Sequence, residues 1–336
     1  MSAMPDALRV LLGRAIDYAG LFPPAQLPMA EALGGYAGEL RSPERWLLAR
    51  FVCPVARLAE VEPLVDGLLP PGPPLMLAAL GTGAECADAF LAGLAAEAAA
   101  VGEFVARHRG RVAADQFEVS LPGELIARGD PDAVAGVVRE VGRTLARRGA
   151  AWVLVACEAP VAGADPVAVE AVIEGIARAG VGLEMDDGWG ACFKVRCGGA
   201  VAAAYPTCEE LARALAACRD RDVPLKATQG LHHPFRHLNR AAGVTMHGFV
   251  NLLAGGVLAR ARGLGSGELA ELLADEEPGH FELSDAGLAW RGHAVEVAEV
   301  AAGRRHAVRS FGSCSVAEPV ADLRALGWLD AAEEGA

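Results

Sequence analysis

The sequence predicts an α/β protein, a (β/α)8 or TIM-type barrel with a C-terminal appendage, and three observations carry that expectation. Short runs rich in β-branched and small apolar residues alternate with Ala/Leu/Glu/Arg-rich segments of helical length, the pattern of a parallel sheet built from βα units. The strand-like runs number eight, which is what a closed barrel needs. No GxGxxG follows any of them, so an open dinucleotide-binding sheet is disfavoured.

In chain order the candidate strands are Ala15 to Leu21, Leu47 to Val55, Leu75 to Thr82, Gln116 to Leu121, Ala151 to Glu158, Cys192 to Cys197, Pro224 to Thr228 and Thr245 to Asn251. Several are continuously apolar rather than alternating, as strands covered on both faces should be. Between them the spacing predicts helices over Asp130 to Arg148, Pro166 to Ala179 and Cys208 to Arg221. The βα rhythm ends near Gly263. The expectation is therefore a barrel over 1–262 and an appendage over 263–336. The appendage would contain a hairpin (Phe281 to Leu283 with Leu288 to Trp290), a helix-like stretch from His293 to Ala302, a polar loop Ser310 to Ser315 and a last helix from Glu318 to Leu326. A lid and an oligomer contact, such as a homodimer interface, are both open roles for it.

Composition removes several classes of function. The net charge is −13 over 336 residues, and nucleic-acid binding needs a basic stripe to displace counterions. The apolar stretch Leu91 to Val101 is broken by Glu97 and short for a membrane span, and the first twenty residues lack a signal-peptide core, so a cytoplasmic location is expected. Eight cysteines occur without a CxxC pair or zinc-finger spacing and read as free thiols, with Cys157 and Cys197 as core residues.

The basic residues are the unusual part of the composition. Of 30 Lys plus Arg, only Lys194 and Lys226 are lysine. Arginine cannot deprotonate near neutral pH or form a stable imine, whereas a buried lysine can act as nucleophile or base. Both lysines stand in apolar, glycine-terminated strand motifs, FKVRCGG and PLKATQG, spaced for one strand-helix-strand step. Barrel enzymes carry their reactive groups at the C-terminal strand ends. Two lysines there would each make it harder for the other to hold a proton.

At this point the chain resembles the deoxyribose-phosphate aldolase group of class I aldolases, in order along the barrel. Ile16-Asp17-Tyr18-Ala19-Gly20-Leu21 stands where the family has Ile-Asp-His-Thr-Leu-Leu, and Val52-Cys53-Pro54 echoes its Val-Cys-Val-Tyr-Pro. Phe117-Glu118-Val119 offers Glu118 for the acidic proton relay of the fourth strand. Val155-Ala156-Cys157-Glu158 matches the Ile-Ile-Glu-Thr end of the fifth. Phe193 to Gly198 matches the Phe-x-Lys-Thr-Ser-Thr-Gly that carries the Schiff-base lysine, and Lys226 falls on the second lysine of the seventh strand.

The resemblance implies a carbon–carbon lyase in which Lys194 forms an iminium with a small carbonyl substrate. Lys226 would lower its pKa, Glu118 and Asp17 would move or hold protons, and no cofactor or metal would be required. The departures lie in Val195-Arg196-Cys197, which stands for the family's Thr-Ser-Thr after the nucleophile, and where the family grips phosphate. The Gly-Gly loop and Gly-Ala-Ser-Ser turn are read here as Gln229 to His237 and His247 to Asn251, without serines and with imidazoles. An unphosphorylated substrate is expected, with Arg196, His232, His233, His247, Asn251 and Glu158 as its polar contacts.

The histidines and acids keep other readings open. His232, His233, His237 and His247 fall within 16 positions. They suit acid/base or ligand-binding work, metal ligation together with Glu118, Glu158, Glu184 or Asp186, or plain loop capping. Arg196 suits a ligand carboxylate or an ion pair with Glu184 or Asp186, and Asp17 suits a relay or a structural ion pair. Two rival functions follow: a metal-dependent barrel lyase or hydrolase using His232, His233 and His247, and a non-catalytic barrel that binds a metabolite.

Overall fold

The computed structural model describes residues 4–69, 71–149, 153–180, 189–240 and 242–330. Eight parallel strands close into a barrel: β1 (Ile16–Tyr18), β2 (Leu48–Pro54), β3 (Leu75–Leu80), β4 (Val112–Ser120), β5 (Val153–Glu158), β6 (Trp189–Arg196), β7 (Leu225–Thr228) and β8 (Val308–Ser313). Each pairs with its sequence neighbours, and β8 closes the seam by pairing with both β7 and β1. The predicted (β/α)8 architecture is therefore the observed one.

The helices between strands start and stop where local chemistry says they should. Helix Pro131–Arg147 has proline at its first position and Asp130 as its cap, whose carboxylate accepts from the backbone N–H groups of Asp132 (2.9 Å) and Ala133 (3.3 Å). Helix Cys208–Asp220 is opened by a capping box between Thr207 and Glu210. Helix Ala87–Arg107 has 21 residues, and by length and apolarity it could cross a membrane. Its Phe90, Leu94, Ala98, Val101 and Phe104 are instead buried in the core.

One strand was misplaced. Thr245–Asn251 is not the eighth strand: Val244–Met246 pairs antiparallel with His237–Asn239, and the buried helix Phe249–Arg262 begins directly after Gly248. The true eighth strand lies in the supposed polar loop, so the closed sheet draws on both sides of the predicted 262/263 boundary. The reason is physical. One face of β8 looks into a polar barrel interior, where Ser310 is fully buried and donates to the Asp17 carboxylate at 2.6 Å. Its serines thus read as loop chemistry although they are core residues.

The remainder of the tail packs beside the barrel. The expected hairpin is present and gains a third strand, His293–Glu296, before helix Val297–His306. Its Trp290 indole donates to the buried Asp275 carboxylate at 2.9 Å, and Ser284 accepts from the N-terminal helix at Ala7. Among the described residues none of this small sheet lines the main cavity.

Strand alternation sorts the barrel into two environments. On β5 and β6, Val155, Cys157, Phe193 and Val195 face the helices as part of the large core. Leu154, Ala156 and Cys192 form a separate small cluster, set apart from that core. In register with this second set, toward the C-terminal ends, stand Glu158, Lys194 and Arg196. Glu158 pairs with Lys194 and Lys194 with Lys226 across β5, β6 and β7.

Candidate active site

The C-terminal ends of the strands surround a cavity of about 610 Å³ whose wall includes Glu118, Glu158, Lys194, Arg196 and Lys226. These side chains form an alternating row of charge. The Arg196 guanidinium lies 2.6 Å from Glu158 Oε1, and Glu158 Oε2 lies 2.7 Å from Lys194 Nζ. Lys194 Nζ is 2.6 Å from Glu118 Oε2, and Glu118 Oε1 is 2.5 Å from Lys226 Nζ. Lys226 Nζ then meets Asp17 Oδ2 at 2.6 Å, Asp17 Oδ1 meets Arg50 at 3.3 Å, and Arg50 ends on Asp115 at 2.6 Å.

Four cations thus alternate with four anions, so the row is neutral although six of its members are nearly or wholly buried. Removing charges from water costs several kcal/mol per ion, and only close opposite charges with further hydrogen bonds compensate that. The further bonds are present: Gln116 donates to Glu118 at 2.9 Å, Ser310 to Asp17 at 2.6 Å and Ser120 to Glu158 at 3.4 Å.

The electrostatics correct one expectation. Burial alone would push the Lys194 ammonium toward deprotonation, but Glu118 and then Glu158 override it and hold its pKa above the ordinary lysine value. The expected depression by Lys226 is not seen, because Glu118 stands between the two lysines and neutralises their repulsion. Burial would likewise raise Glu118, yet Lys194 and Lys226 together hold it far below the usual carboxylate range. Asp17 is lowered too: its burial is outweighed by Lys226 and Arg50.

The other sequence candidates divide. Arg196, His232, His233 and Glu158 line the cavity. Asp17 does not; it lies beneath, fully buried, and reaches the cavity only through Lys226. His247 and Asn251 are corrections, since both are 0% exposed and neither borders the cavity. His247 Nε2 bonds the Pro206 carbonyl at 2.7 Å, and burial pushes its pKa down to about 4. Asn251 donates to the Leu272 and Asp275 carbonyls at 2.9 and 2.8 Å and accepts from Arg236 N, so it staples loops. The serine-free phosphate region is a correction as well. The turn after β8 is Ser313-Cys314-Ser315, and the Ser315 hydroxyl accepts from the Glu318 N–H at 3.2 Å.

The four histidines do not meet at one point, and only the His233 and His237 rings pack together, edge to face at 4.2 Å. His233 pairs with Asp322 at 2.6 Å, and His237 bonds the Phe235 carbonyl at 3.1 Å. His232 turns to Glu318 and Cys314, two residues the sequence reading did not single out. Arg50, Asp115, Gln116 and Ser310 were also missed. Arg50 had a signal: it is a lone charge inside the apolar run Leu47 to Val55. Glu184 and Asp186 lie outside the described residues. Cys197 and Cys157 are buried thiols whose pKa burial raises, Cys197 to about 12, as core cysteines should be.

The glycine of the β7 loop has a clear reason. Gly230 has φ +70°, and a Cβ there would stand 2.5 Å from the Cys197 carbonyl oxygen. Only glycine lets the loop after β7 close on the loop after β6, which seats His232 on the cavity wall.

The chain superposes on the tetrameric deoxyribose phosphate aldolase from Aeropyrum pernix, covering 97% of this chain and 100% of that one, with a TM-score of 0.50 and 14% identity. At this identity the likeness is one of fold alone. An aldolase termed QR15 aligns with a TM-score of 0.48 at 11% identity, over 95% of this chain and 99% of that one. No family model matches the sequence, and no curated protein does so either.

Proposed function

We propose that the protein is a class I aldolase-like lyase in which Lys194 forms a Schiff base with a small, unphosphorylated carbonyl substrate. The observation that carries this reading is Glu118, a buried carboxylate placed between the only two lysines of the chain on the wall of the cavity. The aldolase fold is consistent with it, and the chemistry rests on the site.

The charges suit the reaction. Imine formation from the ammonium, R–NH3⁺ + O=CR′2 → R–NH⁺=CR′2 + H2O, keeps one positive charge on nitrogen from start to finish. Glu118 and Glu158, which hold the ammonium, are therefore placed to hold the iminium as well. In the steps between, Lys194 passes a proton to Glu118 and the free amine attacks the carbonyl carbon. The carbonyl oxygen then collects two protons and leaves as water. The iminium next draws the electrons of the adjacent carbon–carbon bond into an enamine. A base, Glu118 through a water, removes the proton of the hydroxyl that becomes the departing aldehyde. Lys226 keeps Glu118 anionic between these transfers, Asp17 holds Lys226 in place, and Arg196, at the rim, receives a ligand carboxylate.

Two features favour an unphosphorylated ligand. The N–H of Glu318 at the start of the helix after β8 is already bonded by Ser315, and the Glu318 carboxylate faces the cavity there, where a phosphate would be repelled. The test is exchange of substrate α-hydrogens for deuterium, followed by NMR over a panel of small aldehydes and 2-keto acids in D2O. An iminium acidifies those hydrogens. The reading requires exchange of at least one compound by the wild type and none by Lys194→Arg. Exchange that persists in the variant would overturn it.

A further inference from the structure

We propose that His232, Cys314 and Glu318 form a site for one divalent transition-metal ion of zinc's type on the cavity wall. The three come from separate places: the loop after β7, the residue directly following β8, and the first turn of helix Ala317–Ala325. Their ligand atoms lie within 4.8 Å of one another. His232 Nδ1 is 3.3 Å from Glu318 Oε2 and 3.9 Å from Cys314 Sγ. The edges of a tetrahedron built on zinc bonds of about 2.0 Å to nitrogen and oxygen and about 2.3 Å to sulfur are roughly 3.3–3.6 Å long. The two separations from His232, 3.3 and 3.9 Å, already lie near those lengths.

The donor set is specific. Imidazole, thiolate and carboxylate together suit zinc and cobalt(II), whereas magnesium and calcium call for oxygen alone. A Cys–His–Glu relay for a nucleophilic thiol is a poor fit to the same residues. Such a relay needs the two ring nitrogens on different partners, and here Nδ1 faces both the thiol and the carboxylate. The backbone holds the ligands in place, since Cys314 leaves a barrel strand and Ser315 caps the turn that carries Glu318. None of the three touches the row of charges from Arg196 to Asp115.

All three residues border the cavity that Lys194 borders. Three protein ligands leave a fourth position open, as in catalytic rather than structural zinc sites, and it faces that cavity. It would take a water or a hydroxyl oxygen of a small ligand. The site does not depend on Lys194 chemistry, and its test is independent of turnover.

The test is titration of cobalt(II) into the reduced full chain, read by absorbance. The expected result is uptake of one equivalent, with a thiolate-to-cobalt charge-transfer band in the near ultraviolet and strong tetrahedral bands in the visible. Zinc should bleach both. Cys314→Ser should lose the charge-transfer band, and Glu318→Gln should weaken cobalt binding by at least about tenfold, the loss caused by removing even an outer partner of a metal ligand. Lys194→Arg should keep the spectrum. No charge-transfer band in the wild type, its survival in a folded Cys314→Ser, or unchanged affinity in Glu318→Gln would each overturn the site.

Discussion

Two parts of one cavity hold charge in opposite ways. Along its floor, carboxylates and ammonium groups alternate in a buried row where nearly every ion has a partner on each side. At its rim, the His232–Glu318 pair is partly open, with the Glu318 side chain 52% exposed. In water a pair of this kind contributes little, because solvent screens it and the side chains lose freedom in forming it. In the buried row each ion depends on its neighbours, because a charge left alone there has no water to replace the lost partner. The floor is therefore rigid and sensitive to any single change. The rim can exchange one partner for another.

Four predictions sharpen that contrast. The largest effect is expected at Lys194. Lys194→Arg keeps the positive charge and the fold but removes the only proposed nucleophile. Turnover of whichever compound shows α-hydrogen exchange should fall by at least about 10⁴-fold, with unchanged circular dichroism.

The second compares the two regions directly. Glu118→Gln leaves two buried cations short of an anion and should cost about 3–5 kcal/mol in urea unfolding, whereas Glu318→Gln at the rim should cost under about 1 kcal/mol. Equal losses would show that the row is not held by its alternation. The same Glu118→Gln change should let Lys194 lose its proton more readily, so the rate of adduct formation, rising about tenfold per pH unit below the lysine pKa, should shift to lower pH.

The third prediction concerns pH and stability. Folded Lys194 has its pKa raised, so its contribution is fully present below the unfolded value of 10.5 and is lost as pH rises through the folded value. Asp17 and Glu118 are lowered, so theirs is present above the unfolded values of 3.8 and 4.5 and is lost as pH falls through the folded ones. His247 is lowered from 6.5 to about 4, so the unfolded chain binds its proton first as acid is added. About 3 kcal/mol should be lost between those two pH values, and His247→Gln should flatten that slope in urea midpoints measured across it.

The smallest effect is expected at the rim cation. Arg196 has a half-exposed side chain, so Arg196→Gln should change stability by less than about 1 kcal/mol. For a keto acid it should raise KM more than it lowers kcat. A matching aldehyde without a carboxylate should be unaffected.

The sequence made the barrel legible because its strands, covered on both faces, are apolar runs between helices of strong period. The floor of the site was legible for a related reason. Lys194, Lys226, Glu118 and Glu158 are isolated ionisable groups within apolar strands, and such groups face either a partner or a ligand. What strand patterns omit is pairing across the barrel, so Glu118 was seen as a relay but not as the group that neutralises both lysines. The rim was not legible. Val308–Ser313 reads as a loop because Ser310 and Ser313 are buried against polar partners, and with that strand misplaced Cys314 and Glu318 fell outside the barrel mouth. His247 and Asn251 then took their place in the reading. Their real work is to bond backbone carbonyls, which no sequence spacing reveals.

The central claim is that Lys194, held by Glu118 and Glu158, is the imine-forming residue. Borohydride reduction in the presence of an exchange-active carbonyl compound, followed by peptide mass mapping, tests it most directly, because the chain offers only two lysines and its N-terminal amine. The account predicts one reduced adduct, on Lys194, that is absent from Lys194→Arg. An adduct on Lys226 or on the N-terminal amine, with Lys194 unmodified, would contradict it.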